Sequence, residues 1–302
     1  MKQEGQIQPM IQDILPKHLK NEYIPKQPAA DSFVLGFHDR TVYLREQDGE
    51  ITFLTYGEWE NYCREKKGME EPSFVYLFSI GEKAFFLTDI RPEDENAVEG
   101  FRFHRMFATR SMHPKESIFA IATAWHLFVW YRDNQFCGRC ATKLVHSEKL
   151  RMMQCPCCGN QVFPKIAPAV IVGVTDGDKI LMTKYAGREY KRYALIAGFT
   201  EIGETAEETV QREVMEEVGL HVENIRYYKS QPWGFDSNLL MGFYCDLSEE
   251  GRITLDREEL STAEWVDYHD IPDDPEGLSL THEMMLYFRD CKKKNGNCET
   301  QI

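Results

Sequence analysis

Apolar and polar positions alternate through the first third of the chain. Ser32–Phe37, Thr41–Arg45, Ile51–Thr55, Phe74–Ile80 and Lys83–Asp89 are short runs rich in β-branched and aromatic residues. Turn signals at Asp48-Gly49 and Gly81-Glu82 separate them, and the pattern predicts an antiparallel sheet. The period then lengthens. Ile118, Ile121, Ala122, Trp125, Phe128 and Val129 recur at helical spacing, with Pro114 suited to the first turn and Glu116 to the N-terminal dipole. His126 interrupts this face. A hydrogen-bonded, half-buried histidine is expected there in preference to a catalytic one.

A second series starts at Ile166. Strands are predicted over Ala169–Val174 and Lys179–Thr183, on either side of an Asp176-Gly177 turn. A glycine loop and an acidic helix occupy 198–219. Strands Arg226–Ser230 and Leu239–Asp246 follow, then a helix over Gly277–Arg289. Sheets with a few helices indicate an α+β fold. The expected organisation is an N-terminal α+β domain (1–132), a cysteine-rich module (133–165), a second mixed domain (166–290) and a polar tail (291–302) that frays.

Composition narrows the function classes. The 302 residues are 42% hydrophobic and 28% charged, with a net charge of −14, values ordinary for a globular protein. The acidic balance argues against a broad nucleic-acid footprint. Residues 1–16 lack a basic head followed by an apolar run, so no signal peptide is expected. No apolar stretch approaches the roughly 18 residues of a membrane span, so no membrane partner is expected. A cytoplasmic, reducing compartment is the resulting expectation for a chain with nine cysteines.

Four of those cysteines form a pattern. Cys137-x-x-Cys140 and Cys155-x-x-Cys158 can supply four thiolates to one tetrahedral zinc, and the gap between the pairs suits a zinc ribbon. Four thiolates leave no open position for water, so the zinc is expected to be structural. Two redox pairs or free thiols are the alternative reading, and Cys157, a bystander or an alternative ligand, is read as a bystander because it breaks the spacing. A nucleic-acid grip by this module is a further alternative. Lys143, Lys149 and Arg151 lie between the pairs, but no aromatic residue does.

The most informative segment is Gly198 to Leu220. Thr205 and Glu208 form a plausible capping box, Ala206, Val210, Val214 and Val218 step by four, and Gly219 suits the position just past the helix end. At about 100° per residue from Ala206, the apolar stripe spans roughly 0° to 120°. Glu217 falls inside that arc, Glu213 at its edge and Glu216 further out. A carboxylate among buried valines is costly unless a cation neutralises it. Glu213, Glu216 and Glu217 stand at i, i+3 and i+4, so their oxygens can converge. Clustered carboxylates suit a hard ion, Mg²⁺ or Mn²⁺, which in turn binds phosphate.

The segment resembles the Nudix box, Gly-x5-Glu-x7-Arg-Glu-apolar-x-Glu-Glu-x-Gly-apolar, at every specified position. Downstream, Ser230-Gln-Pro-Trp-Gly-Phe-Asp-Ser-Asn238 is similar to the NADH pyrophosphatase signature Ser-Gln-Pro-Trp-Pro-Phe-Pro-x-Ser, with Gly234, Asp236 and Asn238 in place of Pro, Pro and Ser. A zinc ribbon just upstream of a Nudix domain is also that family's arrangement.

The resemblance implies an α/β/α sandwich over 166–290 and metal-dependent hydrolysis of the pyrophosphate bond of NAD(H), giving nicotinamide mononucleotide and AMP. It implies that Glu213, Glu217, Glu259 and the Ala197 carbonyl hold Mg²⁺ or Mn²⁺, and that Glu213, Glu216 and Glu217 serve catalysis. Phe163 and Phe199 match positions that sandwich a base. Gln231, Pro232, Trp233, Gly234, Phe235, Asp236, Ser237 and Asn238 would line the substrate pocket. Core packing is an equal reading of Trp233. Leu280 stands where relatives tend to carry a small residue near the substrate. Arg212 is expected to orient the box. The family further implies a homodimer and removal of NAD caps from RNA 5′ ends. The alternatives are another nucleoside diphosphate derivative such as ADP-ribose, and a regulatory protein with a dead hydrolase domain.

Overall fold

A computed structural model describes residues 10–66, 72–187, 191–249, 251–274 and 276–294. The expectations for residues 1–9 and for the end of the polar tail, 295–302, lie outside them. The described residues form two compact units. One holds Asp13–Lys165 with Gly234–Ser237; the other holds residues 10–12, Ile166–Trp233 and the chain from Asn238 onward.

The described residues of the first unit form three sheets and two long helices. The larger sheet runs in the order Leu19–Lys20, Val75–Ile80, Lys83–Leu87, Phe33–Leu35, Leu54–Thr55. It is not wholly antiparallel as expected, because Phe33–Leu35 pairs parallel to Lys83–Leu87. Local alternation carries no information about partners some fifty residues apart. The second sheet joins Phe37–His38, Thr41–Gln47, Glu50–Thr52 and Phe101–Arg105, all antiparallel.

Helix α1 (Tyr56–Glu65) was not foreseen. It starts at a capping box in which the Glu58 N–H donates to Thr55 Oγ1 at 3.3 Å and the Thr55 N–H donates to Glu58 Oε2 at 2.9 Å. It buries Trp59 among Val34, Tyr43, Leu54, Tyr76, Phe86 and Phe101. Helix α2 (Lys115–Asp133) is buried over most of its length. His126 on it is half-buried and donates through Nε2 to the Lys165 carbonyl at 2.7 Å, the satisfied state expected of it. Three short antiparallel strands, Val145–His146, Met153–Gln154 and Gln161–Val162, build the cysteine-rich module.

The second unit is built on a six-stranded mixed sheet. Its order is Val222–Trp233, Asn238–Leu247, Ala167–Asp176, Lys179–Tyr185, Leu260–Asp267, and Ile196–Phe199 also pairs with Ala167–Asp176. Ala167–Asp176 and Asn238–Leu247 run parallel. Two further helices cover the sheet. Helix α3 (Ala206–Val218) packs Val210, Val214 and Val218, all fully buried, on Val170, Val172, Val174, Phe243 and Cys245. Each such valine contributes about 1.5–3 kcal/mol of burial. Helix α4 (Leu280–Lys293) takes the other face. Met284 lies over Gly242, and the Tyr244 hydroxyl donates to the Met284 carbonyl at 2.6 Å. Successive residues of a strand point to opposite faces, so 243 and 245 meet α3 while 242 and 244 meet α4. This is a mixed α and β architecture, as expected, with a helix on each face of the sheet.

Candidate active site and zinc centre

The acidic loop is held by its own side chains. At the start of α3 the Thr205 N–H donates to Glu208 Oε2 at 2.7 Å, and the Glu208 N–H donates to Thr205 Oγ1 at 3.2 Å. At its end Gly219 adopts φ 68°, a left-handed geometry that glycine reaches without a Cβ penalty. Between these ends Arg212 acts as a hub. Its Nε and Nη2 donate to the two Glu204 oxygens at 2.6 and 2.9 Å, and Nη2 also reaches the Phe199 carbonyl at 2.9 Å. The Glu201 N–H and the Thr209 hydroxyl complete the shell around Glu204. The Arg212 guanidinium holds the Glu204 carboxyl down at about 2. Sequence reasoning missed Glu204 as a positioning residue, although its place in the box was the available signal.

The glutamates divide as the helical wheel suggests. Glu217 is 3% exposed and Glu213 is 8% exposed, while Glu216 and Glu207 face solvent. The Glu213 carboxyl lies flat against the Cα of Gly198, where any side chain would overlap it. This cradle is a second feature that sequence reasoning missed. Burial pushes the Glu213 carboxyl up, Arg212 opposes this, and the charges of Glu216 and Glu259 push it further up. Glu259 is therefore an electrical neighbour of Glu213. It is exposed, in the loop before Leu260–Asp267. Ala197 lies in Ile196–Phe199, paired with Ile171.

The three box carboxylates do not converge as expected. Among the described residues, no carboxylate trio closes to within 4.8 Å. Instead Arg212 Nη1 stands between Glu213 Oε1 at 2.7 Å and Glu216 Oε2 at 2.9 Å. The arginine meets part of the charge on Glu213 and Glu216 that the sequence argument assigned to a cation. The donor set still fits a hard divalent ion: only oxygens are offered, two carboxylates are buried, and burial, with neighbouring like charges, raises one of them.

The substrate-signature residues separate into two groups. Gln231 is fully buried, and both ends of its amide have partners. Nε2 donates to the Leu278 carbonyl at 2.8 Å and to Gln12 Oε1 at 3.1 Å, and Oε1 accepts the Leu280 N–H at 2.7 Å. Trp233, Phe235 and Leu280 are buried, and Pro232 is exposed. Gly234 lies directly against the Ala122 carbonyl of α2, leaving no room for a Cβ, so the proline of the signature cannot occupy this position in the same packing. Ser237 takes φ 60°. Asp236 is exposed, 3.7 Å from Arg40. Asn238 is buried, and its Oδ1 has no hydrogen-bond partner. Phe163, in the first unit, and Phe199, in the second, are 51% and 54% exposed.

The four predicted cysteines come together. Cys137, Cys140, Cys155 and Cys158 place their sulfurs within 4.8 Å of one another. Their closest approaches are 3.4–3.6 Å. Four sulfurs at about 2.3 Å from one zinc would be about 3.8 Å apart, so the cage has the right size. The Arg139 N–H points at Cys137 Sγ and the Cys158 N–H at Cys155 Sγ, both at 3.4 Å. Thr142 lowers the Cys140 thiol to about 6. The exposed Cys157 is outside the group.

Comparison with known proteins finds two family matches. The NUDIX domain family matches residues 165–288, and the NADH pyrophosphatase zinc ribbon domain matches residues 132–163. NAD-capped RNA hydrolase NudC of Escherichia coli is 34% identical over 232 residues, 74% of this chain and 90% of that protein. The protein of the same description from Klebsiella pneumoniae is 35% identical over 195 residues, 64% of this chain and 76% of its own. A crystal structure of a NUDIX hydrolase from Nitrosomonas europaea covers 54% of this chain and 94% of its own, at 22% identity and a TM-score of 0.46. The chain belongs to the Nudix hydrolase family, in the branch that carries the NADH pyrophosphatase zinc ribbon.

Proposed function

We propose that the protein hydrolyses the pyrophosphate bond of NAD(H) to nicotinamide mononucleotide and AMP, and removes NAD caps from RNA 5′ ends. The observation that carries this reading is the pair of buried carboxylates, Glu213 and Glu217, on the helix of a complete Nudix box. The names of the relatives support the choice of NAD-linked substrates.

Glu213, Glu217, Glu259 and the Ala197 carbonyl would hold Mg²⁺ or Mn²⁺. The ion supplies charge stabilisation at the bridging phosphates and a more acidic water. The protein's own part is to hold donors and move protons. Gly198 seats Glu213, Arg212 sets the loop, and the solvent-facing Glu216 would take a proton from water. Asn238 has a buried, unused acceptor to offer a substrate donor. The exposed Phe199 would stack on a base, and the zinc in the four-cysteine cage is structural. The division into domains 1–132, 133–165 and 166–290, a homodimeric state and a cytoplasmic location belong to the same reading. No helix among the described residues is long and apolar enough to cross a membrane.

A second reading, ADP-ribose or a related nucleoside diphosphate derivative, is favoured by the altered signature at Gly234, Asp236 and Asn238. Product analysis after incubation with NADH, NAD⁺, ADP-ribose and NAD-capped RNA, with Mg²⁺ or Mn²⁺, decides between them. Release of AMP and the mononucleotide supports the proposal, and turnover of ADP-ribose alone would replace it.

A further inference from the structure

The strand Val222–Trp233 carries the first residues of the substrate signature, and its alternation is broken just before them. Tyr227 pairs with Phe243, but Lys229 pairs with Gly242, so Tyr228 is one residue too many. Such a β-bulge shifts the pleat by one. Directly paired residues share a face, and Gly242 faces α4 under Met284. Lys229 therefore faces α4, and Gln231 and Trp233 follow it, opposite Leu240 and Asn238. An unbroken strand would turn Ser230 and Pro232 to α4 instead, and Gln231 away from its partners at Leu278 and Leu280. One carboxylate holds the bulge. Glu283, in the first turn of α4 and 4% exposed, accepts the Tyr228 hydroxyl at 2.6 Å and the Lys229 ammonium at 2.7 Å, both on Oε1. Its Oε2 accepts no hydrogen bond among the described residues. The Tyr228 ring lies against those of Tyr244 and Tyr287, with centroids 5.3 and 4.8 Å apart, which keeps it on the α4 side. Burial, then the charge of Glu283, push the Tyr228 hydroxyl up, so it remains a donor.

We infer that Glu283 is a positioning residue for the substrate site: it locks the Tyr228 bulge, and the bulge sets which signature residues face α4. Hydrogen bonds to a carboxylate are roughly twice as strong as neutral ones. Two of them on one oxygen hold Tyr228 and Lys229 on the same face, which an even strand forbids. Gln231, two residues on, then reaches the backbone of Leu278 and Leu280, and Trp233 stands opposite Asn238 with its unused acceptor. Glu283 acts through Gln231 and not on substrate. This inference rests on the proposed reading only in taking the signature as the substrate-binding segment.

The test uses Glu283→Leu, Glu283→Gln and Tyr228→Phe in the full-length protein with zinc retained. Amide hydrogen exchange over residues 228–233 and over α3 is read by mass spectrometry, and KM and kcat are measured on NADH with saturating Mg²⁺. Glu283→Leu keeps apolar bulk but removes the acceptor. It is expected to speed exchange over 228–233 about tenfold or more, to leave α3 unchanged, and to raise KM about tenfold with kcat within about twofold. Glu283→Gln keeps an acceptor oxygen and should recover most of the lost affinity. Tyr228→Phe removes a single hydroxyl and should show the same pattern at about threefold, which keeps the test decisive should Glu283→Leu fail to fold. Unchanged exchange over 228–233, or a fall in kcat at constant KM that tracks loss of folded protein, would overturn the inference. If the parent protein turned over no NADH, the proposed function would fail, and the exchange measurement would still decide this inference.

Discussion

The Glu213 carboxyl rests on the Cα of Gly198, across the gap between α3 and the strand Ile196–Phe199. The first glycine of the box therefore does more than turn the chain. It provides the seat for one of the two buried acids, in a position that no other residue leaves vacant. Gly198→Ala should expel the carboxyl and lower turnover by about two orders of magnitude, the scale of a lost transition-state interaction. Glu213→Gln should cost a similar amount. Because both changes act on one group, the double variant should fall little further than either single one. A double-mutant cycle on turnover checks this, and simple additivity would refute the shared role.

The pH dependence has two parts of opposite sign. Glu204 is held at about 2 by Arg212, against an ordinary value near 4.3. Its contribution to stability is complete above the ordinary value and disappears as pH falls toward 2. Melting of the parent and Glu204→Gln proteins should therefore differ at pH 6, and the gap should close on acidification. Glu213 is shifted the other way, so protons compete there with a metal. The Mg²⁺ concentration for half-maximal turnover should rise as pH falls through that raised value. A requirement independent of pH would remove Glu213 from the ligand set.

The cysteine cage makes a prediction about folding. Structural zinc contributes folding free energy directly. Elemental analysis should find about one zinc per chain, and Cys137→Ser should lower both zinc content and melting temperature. Cys157→Ser should change neither, since Cys157 lies outside the cage. Normal stability in zinc-free protein would contradict the structural role.

Much of the site was readable because its chemistry repeats at fixed spacing. The angular position of Glu217 and Glu213 among the valines of α3 foretold their burial, and the two Cys-x-x-Cys pairs foretold a closed cage. Other features depend on distant partners. Gln231 reads as a pocket residue, yet its amide is engaged by backbone groups near the start of α4, about fifty residues away, and by the side chain of Gln12. The strand Leu260–Asp267 carries Ser, Thr and Glu between its apolar positions and pairs with Lys179–Tyr185, so its own pattern was weak. Helix α1 was marked by Thr55 and Glu58 but overlooked beneath the strand-like run before it. The convergence expected of Glu213, Glu216 and Glu217 neglected Arg212, which is long enough to stand between two of them.

The central claim is that the buried acids of α3 hold a catalytic cation, and Glu217→Gln tests it most directly. Glu217 is the more deeply buried of the two, and the exchange keeps size and shape while removing charge. Turnover with saturating Mg²⁺ should fall by about two orders of magnitude or more. Melting without Mg²⁺ or Mn²⁺ should hold or rise, because a buried charge has gone. Near-normal turnover in Glu217→Gln would contradict the account.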